Sequence, residues 1–191
     1  VTGVAPLSAG LGLPLVHLVD DEAVVRDAIA WLLRSRRLLT EGHASAEAFE
    51  GWLAGPGRSG VAGRTPTCLL LDLRMGGMSG LALFERLVEH GVTRTMPVIF
   101  LTGHGDVRTA VAAVKRGAFD FLEKPFSNNA LVDRIEEALR ISATQLVVER
   151  DRTDRRRRLD ELSPRERDVM KLIADGFANK AIADALDVSV R

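Results

Sequence analysis

Five side chains of this sequence could do chemistry together: Asp20, Asp21, Asp72, Thr102 and Lys124. They are far apart along the chain, yet each lies at the end of a short apolar run. LVHLV leads into Asp20 and Asp21, LLL into Asp72, PVIFL into Thr102, and Phe119–Leu122 comes just before Lys124. Three converging carboxylates repel one another, so either one of them holds a proton or a cation sits among them. Oxygen donors without Cys or His at the run ends favour a hard ion such as Mg²⁺ (or Mn²⁺), which keeps several waters and takes one or two carboxylates plus a phosphate oxygen. Lys124 is a point cation suited to a phosphoryl group, and Thr102 adds a neutral hydroxyl. The set suits a phosphoryl group arriving at a carboxylate, with Asp72 as nucleophile and the cations neutralising charge.

Elements must bring these residues to one place. Leu15–Val19 reads as a strand, followed by a helix with Val25, Ala28, Ile29, Leu32 and Leu33 on one face. Leu38–Ser45 reads as a weaker strand and Ala46–Leu53 as a short helix. The segment GPGRSGVAGRTP, 55–66, is a surface loop by composition. The run into Asp72 is apolar throughout and reads as a strand buried on both faces. Leu81, Phe84 and Val88 mark the next helix, closed by Gly91. Pro97–Leu101 is a fourth strand, and Asp106 caps a helix whose inner face is Val107, Ala110, Val111 and Val114. Phe119–Leu122 is a fifth strand. Ser127 caps a last helix with Leu131, Ile135, Ala138 and Leu139 inward. Five strand signals alternating with five helix signals predict an α/β fold, a parallel sheet covered on both faces. Right-handed connections open every strand's carboxyl end on one edge, where ligands of such sheets bind.

Composition narrows the class. The chain has 191 residues and no formal net charge. Val1–Ser127 carries 13 acidic and 13 basic residues, and Asn128–Arg191 again 13 of each. Neither part has the basic excess that would announce nucleic-acid binding from charge alone. No apolar run approaches the roughly 20 residues of a membrane span. Cys68 is the only cysteine, which excludes a disulfide framework and a thiolate metal cluster and fits a cytoplasmic protein. It packs as a small hydrophobe. Residues 1–13, broken by Gly and Pro, read as a flexible tail.

VDDE, LLLDLRMGGMSG, IFLTGHGDV and DFLEKPF, in that order, resemble the receiver domain of two-component response regulators, above all receivers joined to LuxR/FixJ-type DNA-binding domains. The likeness covers about residues 14–143. It implies a flavodoxin-like (CheY-like), doubly wound, five-stranded parallel sheet and phosphoryl transfer from a sensor histidine kinase to Asp72. It further implies Mg²⁺ held by Asp21, Asp72 and the backbone carbonyl of Arg74, with Asp20 helping. Lys124 would contact the phosphoryl group, and Thr102 and Phe121 would form the switch. Gly76 stands where such receivers commonly carry proline, which predicts a looser loop. His104 is a residue of the site rim, and a cis Pro125 would aim Lys124 into the site.

The remainder reads as output. Leu146–Arg158 loses the apolar stripe, and the i, i+4 pairs Asp151–Arg155 and Asp154–Arg158 support a solvated helix continuing from the receiver. This gives a helical linker over 144–160. Ser163, Pro164 and Glu166 form a helix start with a capping box. Val169, Leu172 and Ile173 follow as its inner face, and Asp175-Gly176 ends it. Asn179–Leu186 is a second short helix with Ile182 and Leu186 inward. Residues 161–191 resemble the first part of a LuxR-type helix-turn-helix domain, whose major-groove helix would begin near Ser189. The implied function is a phosphorylation-dependent transcription regulator. It is not an enzyme beyond slow self-phosphorylation and self-dephosphorylation, and it dimerises on phosphorylation through the fourth helix, fifth strand and fifth helix to bind DNA through the complete output domain. Two alternatives stand beside it. One is an aspartate-nucleophile phosphohydrolase of the haloacid-dehalogenase type, although Arg74 occupies the place of its second acid. The other is a receiver acting only through protein contacts.

Overall fold

The structure, a computed structural model, describes residues 11–55, 63–103 and 107–186. The strands are β1 (Leu15–Val19), β2 (Leu39–His43), β3 (Thr67–Asp72), β4 (Val98–Thr102) and β5 (Asp120–Glu123). All pair in parallel in the order β2-β1-β3-β4-β5, the flavodoxin-like order whose switch point lies between β1 and β3. The helices are α1 (Ala23–Ser35), α2 (Ala46–Ala54), α3 (Gly80–Glu89), α4 (Val107–Lys115), α5 (Asn128–Asp160), α6 (Pro164–Ala174) and α7 (Asn179–Leu186). A 3-10 turn over Val92–Arg94 follows α3, entered through Gly91 at φ +67°.

Period-two alternation divides the strand residues between two cores. Val19, Leu69, Leu71, Val98 and Phe100 pack with Phe49 of α2, Leu83, Phe84 and Leu87 of α3, and Ala113 of α4. Val16, Leu18, Cys68, Leu70, Ile99 and Leu101 pack with Ile29, Leu32 and Leu33 of α1 and Leu131, Val132, Ile135, Ala138 and Leu139 of α5. Every residue of β3 is buried, as a central parallel strand requires. At the amino edge of the sheet, the buried Ser142 hydroxyl of α5 accepts the Thr67 amide at 2.9 Å and donates to the Thr95 carbonyl at 2.5 Å.

Several expected faces shift. Ala28, Val88, Val111 and Ile173 are exposed. Leu83 and Leu87 take the place of Val88, and Ala113 lies inward on α4. On α1, α3 and α4 an apolar residue at the stripe's margin falls outside the face that the sheet covers; Ile173 is on α6, which has no buried residue. β4 and β5 each run one residue later than expected, because backbone pairing extends past the last apolar side chain. Residues 1–10 of the expected tail, most of the 55–66 loop, His104, the Asp106 cap and Ser189 lie outside the described residues.

The chain groups into two compact units, Val1–Val148 and Glu149–Arg191. α5 is one continuous helix of 33 residues, begun by the Ser127 hydroxyl, which accepts the Ala130 amide at 3.1 Å. Along its polar end Asp154 pairs with Arg157, and Arg157 also reaches Glu161; the spacing had pointed to Arg158 for Asp154. In the second unit, Ser163 and Glu166 form the expected capping box with Pro164 at the start of α6, while Gly176 takes φ +84° past its end.

One polar pair interrupts the first core. His17 of β1 is fully buried, with its Nδ1 3.2 Å from Nε2 of His43 on β2 and its ring against Trp52. Burial, with His43 beside it, pushes the His17 imidazole down to about 3. The unfolded chain takes a proton there near the ordinary histidine value of about 6.5, and the folded chain resists it. The stability this represents is fully present above that value and is lost as pH falls toward the folded one. Between pH 7 and pH 5, His17 accounts for a loss of about 2 kcal/mol. His17→Leu should shrink the pH 7-to-5 difference in urea unfolding by about that amount; an unchanged difference would contradict this assignment.

Candidate functional site

The carboxyl edge of the sheet gathers three of the five candidate side chains, Asp20, Asp72 and Lys124, through direct bonds. Val19 of β1 is in register with Leu71 of β3, so Asp20 lies beside Asp72. Lys124, one residue past β5, reaches back between them. Its Nζ donates to Asp72 Oδ1 at 2.6 Å and to Asp20 Oδ2 at 3.0 Å. The Lys124 backbone amide donates to the Thr102 carbonyl at 2.7 Å, and the Lys124–Pro125 bond is cis. Asp20 is 1% exposed and Asp72 7%. Two nearly buried carboxylates without a cation would be costly, and the ammonium offsets that cost.

The remaining oxygens are also held. Asp20 Oδ1 accepts the Glu22 amide at 2.9 Å, and Arg26 donates to the Asp20 carbonyl at 2.6 Å. Glu22 sits at the start of α1 with no side-chain cap, so helix capping does not account for this acidic cluster. Asp72 Oδ2 accepts the Arg74 amide at 2.8 Å. The exposed Asp21 reaches across the rim, its Oδ2 accepting the Gly76 amide at 3.0 Å. A proline at 76 has no amide hydrogen and could not make this bond. The expected looseness of the loop is therefore offset by a tie that glycine permits.

Burial pushes the Asp72 carboxyl above the ordinary range, assisted by Asp20 and opposed by Lys124. Burial also works to lower the Lys124 ammonium, but its bonds to Asp72 and Asp20 outweigh this and hold it above the usual lysine value. The ammonium therefore stays charged. Thr102 is fully buried at the end of β4, and its hydroxyl has no hydrogen-bond partner among the described residues. Phe121 of β5 is half-buried, packed beside the first core and paired in register with Phe100.

The donor set fits a hard divalent ion. Asp20, Asp21 and Asp72 offer carboxylate oxygens, each with a further lone pair beyond the bonds described. Three carboxylates and one ammonium leave a formal charge of −2.

One residue that positions the site carries no signal of its own in the sequence, and two glycines of the loop pack closely beside it and beside β3. Glu47, in the first turn of α2, accepts the Met78 amide at 2.8 Å and so fastens the loop after β3. That bond, with its other backbone and Ser45 bonds, holds Glu47 below the usual carboxylate range. Gly77 beside it has φ +80°, and a Cβ there would meet Glu47 Oε1 at 2.9 Å. Gly80 starts α3 against the end of β3, where a Cβ would lie 2.0 Å from the Asp72 carbonyl oxygen.

Comparison with known proteins decides the family. Residues 16–136 match the model of the response regulator receiver domain, and residues 160–191 that of the bacterial regulatory proteins of the luxR family. The chain is 43% identical to the transcriptional regulatory protein FixJ of Azorhizobium caulinodans, over 92% of this chain and 79% of that one. This chain belongs to the response regulators. The response regulator is also similar to the solved structure of the response regulator StyR, with a TM-score of 0.75 and 36% identity over 93% of this chain and 85% of that one. To full-length FixJ from B. japonicum it has a TM-score of 0.59 and 36% identity, covering 92% and 81%. A receiver followed by a LuxR-type DNA-binding region implies phosphorylation-dependent control of transcription, with a kinase and DNA as partners. Receivers generally use a divalent ion at the phosphorylation site. The relatives are transcriptional regulators and not enzymes. Among the described residues no helix is long and apolar enough to cross a membrane.

Gly80→Ala tests the close packing of α3 on the site. The added methyl must displace the Asp72 carbonyl or the start of α3, an overpacking cost of about 1–3 kcal/mol. Denaturant unfolding should show that loss, and full retention of stability would overturn the reading of Gly80.

Proposed function

We infer that Asp72 is the phosphoacceptor of this response regulator and that a histidine kinase supplies the phosphoryl group. The observation that carries this is the Lys124 ammonium shared by Asp72 and Asp20 at a strand edge, beside a buried Thr102 hydroxyl that has no partner among the described residues. In the proposed transfer an Asp72 carboxylate oxygen attacks phosphorus, the bond from phosphorus to the kinase imidazole breaks, and the imidazole leaves with that electron pair. Asp20, Asp21, Asp72 and the Arg74 carbonyl would hold Mg²⁺, or Mn²⁺ in its place, which supplies positive charge to the phosphoryl oxygens when bound. Lys124 is placed to leave its shared position and follow the new charge. Thr102 donates its hydroxyl to a phosphoryl oxygen, gaining the bond it lacks, and Phe121 follows inward. This is a two-state shift driven by one added group.

The proposed organisation is a receiver over 14–143, a helical linker over 144–160 and the beginning of a helix-turn-helix domain over 161–191. The continuous α5 and the capped start of α6 support it. The proposed dimer uses the face of α4, β5 and α5, on which the exposed Val111 of α4 is available. The cytoplasm is the proposed compartment, in keeping with the buried thiol of Cys68. Arg74 stands where a phosphohydrolase of the rival class needs an acid, and a residue without a carboxyl there favours a long-lived acyl phosphate over rapid turnover.

Intact-mass measurement after treatment with acetyl phosphate and Mg²⁺ tests the acceptor. The wild type should gain one phosphoryl group and Asp72→Asn none; labelling of Asp72→Asn at the wild-type level would refute the assignment. Thr102→Ala should still accept the group but lose most of the accompanying shift toward dimer in size-exclusion chromatography. An undiminished shift would remove Thr102 from the switch.

A further inference from the structure

A second polar cluster lies on the same sheet, outside the acidic pocket. His17 of β1 is in register with Glu41 of β2, and Val19 with His43. Parallel pairing and period-two alternation therefore put His17, Glu41 and His43 on one face of two neighbouring strands. One donor atom from each lies within 4.8 Å of the other two. His17 Nδ1 is 3.2 Å from His43 Nε2 and 4.0 Å from Glu41 Oε2. Tetrahedral Zn²⁺, with bonds of about 2.0–2.2 Å, sets its donor atoms about 3.3–3.6 Å apart. The two ring nitrogens already stand near that separation. The Glu41 carboxylate must close by roughly half an ångström on His17 Nδ1 and by up to about 1.3 Å on His43; its side chain is 40% exposed.

We propose that His17, His43 and Glu41 form a binding site for a divalent transition ion, of which Zn²⁺ is the best fit, clamping the edge strand β2 to β1. Two imidazoles and one carboxylate are a borderline-soft donor set, unlike the all-oxygen acidic pocket, so the two sites sort ions by hardness. Three protein ligands leave a fourth position for water, on the side where Glu41 meets solvent.

The protons balance without an external acid or base. In the metal-free pair one ring donates its inner N–H to the other, so a single proton lies between the two donor nitrogens. Binding moves that proton to the outer nitrogen of the same ring, and both inner lone pairs then face the ion. For His17 the outer nitrogen is Nε2, which has no hydrogen-bond partner among the described residues. Its ring centroid lies 4.3 Å from that of Trp52. Burial keeps both rings below the ordinary histidine range, so both are in the neutral form a metal requires. The site also bears on the acidic edge: the Asp20 amide donates to the His43 carbonyl at 3.3 Å, so a clamp across β1 and β2 braces the strand that ends in Asp20.

Isothermal titration with Zn²⁺, in buffer holding excess Mg²⁺ to occupy the oxygen pocket, tests the proposal on the whole chain. The wild type should bind one Zn²⁺ and melt at a higher temperature when it is present, as any ligand of the folded state requires. Glu41→Gln, at a half-exposed position, should weaken binding by at least about 10-fold, and His43→Gln by about 100-fold or more, exceeding the effect typical of supporting residues around a metal. Should His43→Gln fail to fold, Glu41→Gln decides alone. Wild type that binds no Zn²⁺, binding abolished by Mg²⁺, or Glu41→Gln with wild-type affinity would each overturn the proposal.

Discussion

Two carboxylates nearly out of water, Asp20 and Asp72, cannot both stay charged without a cation between them. Lys124 answers that constraint. Much of the architecture of the first unit serves to bring these three residues together. The order β2-β1-β3-β4-β5 sets β1 beside β3, so their terminal acids are neighbours. β4 separates β3 from β5, and the lysine's long side chain spans the gap that β4 leaves. An arginine would be less suited, since a compact ammonium serves two oxygens without demanding a planar fork. The same arrangement suits the proposed phosphoryl transfer. A cation that holds two acids is already matched to a more highly charged group arriving at either of them.

The loop after β3 meets a second constraint. It must present its backbone to the pocket and yet stay ordered. Asp21 holds the Gly76 amide, Glu47 holds the Met78 amide, and Gly80 lets α3 start against the Asp72 carbonyl. Each tie comes from a different element: the end of β1, the first turn of α2 and the start of α3. Glycine at 76 gives up the stiffness that proline would bring but gains a donor. The loop is thus tied by hydrogen bonds and not by ring geometry.

Much of this was legible in the residues. An apolar run such as LLLD, bounded by turn residues, reads as a buried strand ending in a carboxylate, and five strand signals separated by helical stripes leave few topologies. The helix starts at Ser127 and Ser163 were readable because a cap is a local interaction with a local signature. Faces were harder. Val88 and Leu87 differ by one position on α3, and sequence cannot tell which of two adjacent apolar residues the sheet will cover. Val111 and Ala113 on α4 pose the same problem, since a small residue carries little apolar weight but fits a tight contact. Glu47 was invisible because its partner is a backbone amide 31 residues away, and an amide has no residue type to read. His17 passed as one letter of an apolar run. Its neighbour His43 becomes significant only once β1 and β2 are paired in register.

The hydroxyl of Ser142 joins three parts of the chain at the amino edge: α5, the first amide of β3 and the carbonyl that precedes β4. It lies at the opposite end of the strands from the acids. The base of the sheet is therefore pinned while its rim is left to side chains and loops. A disturbance at the rim cannot be relieved by sliding β3 and β4 along α5, because that would strand a buried amide and a carbonyl together. The strands β3 and β4 are thus fastened to α5 at their base.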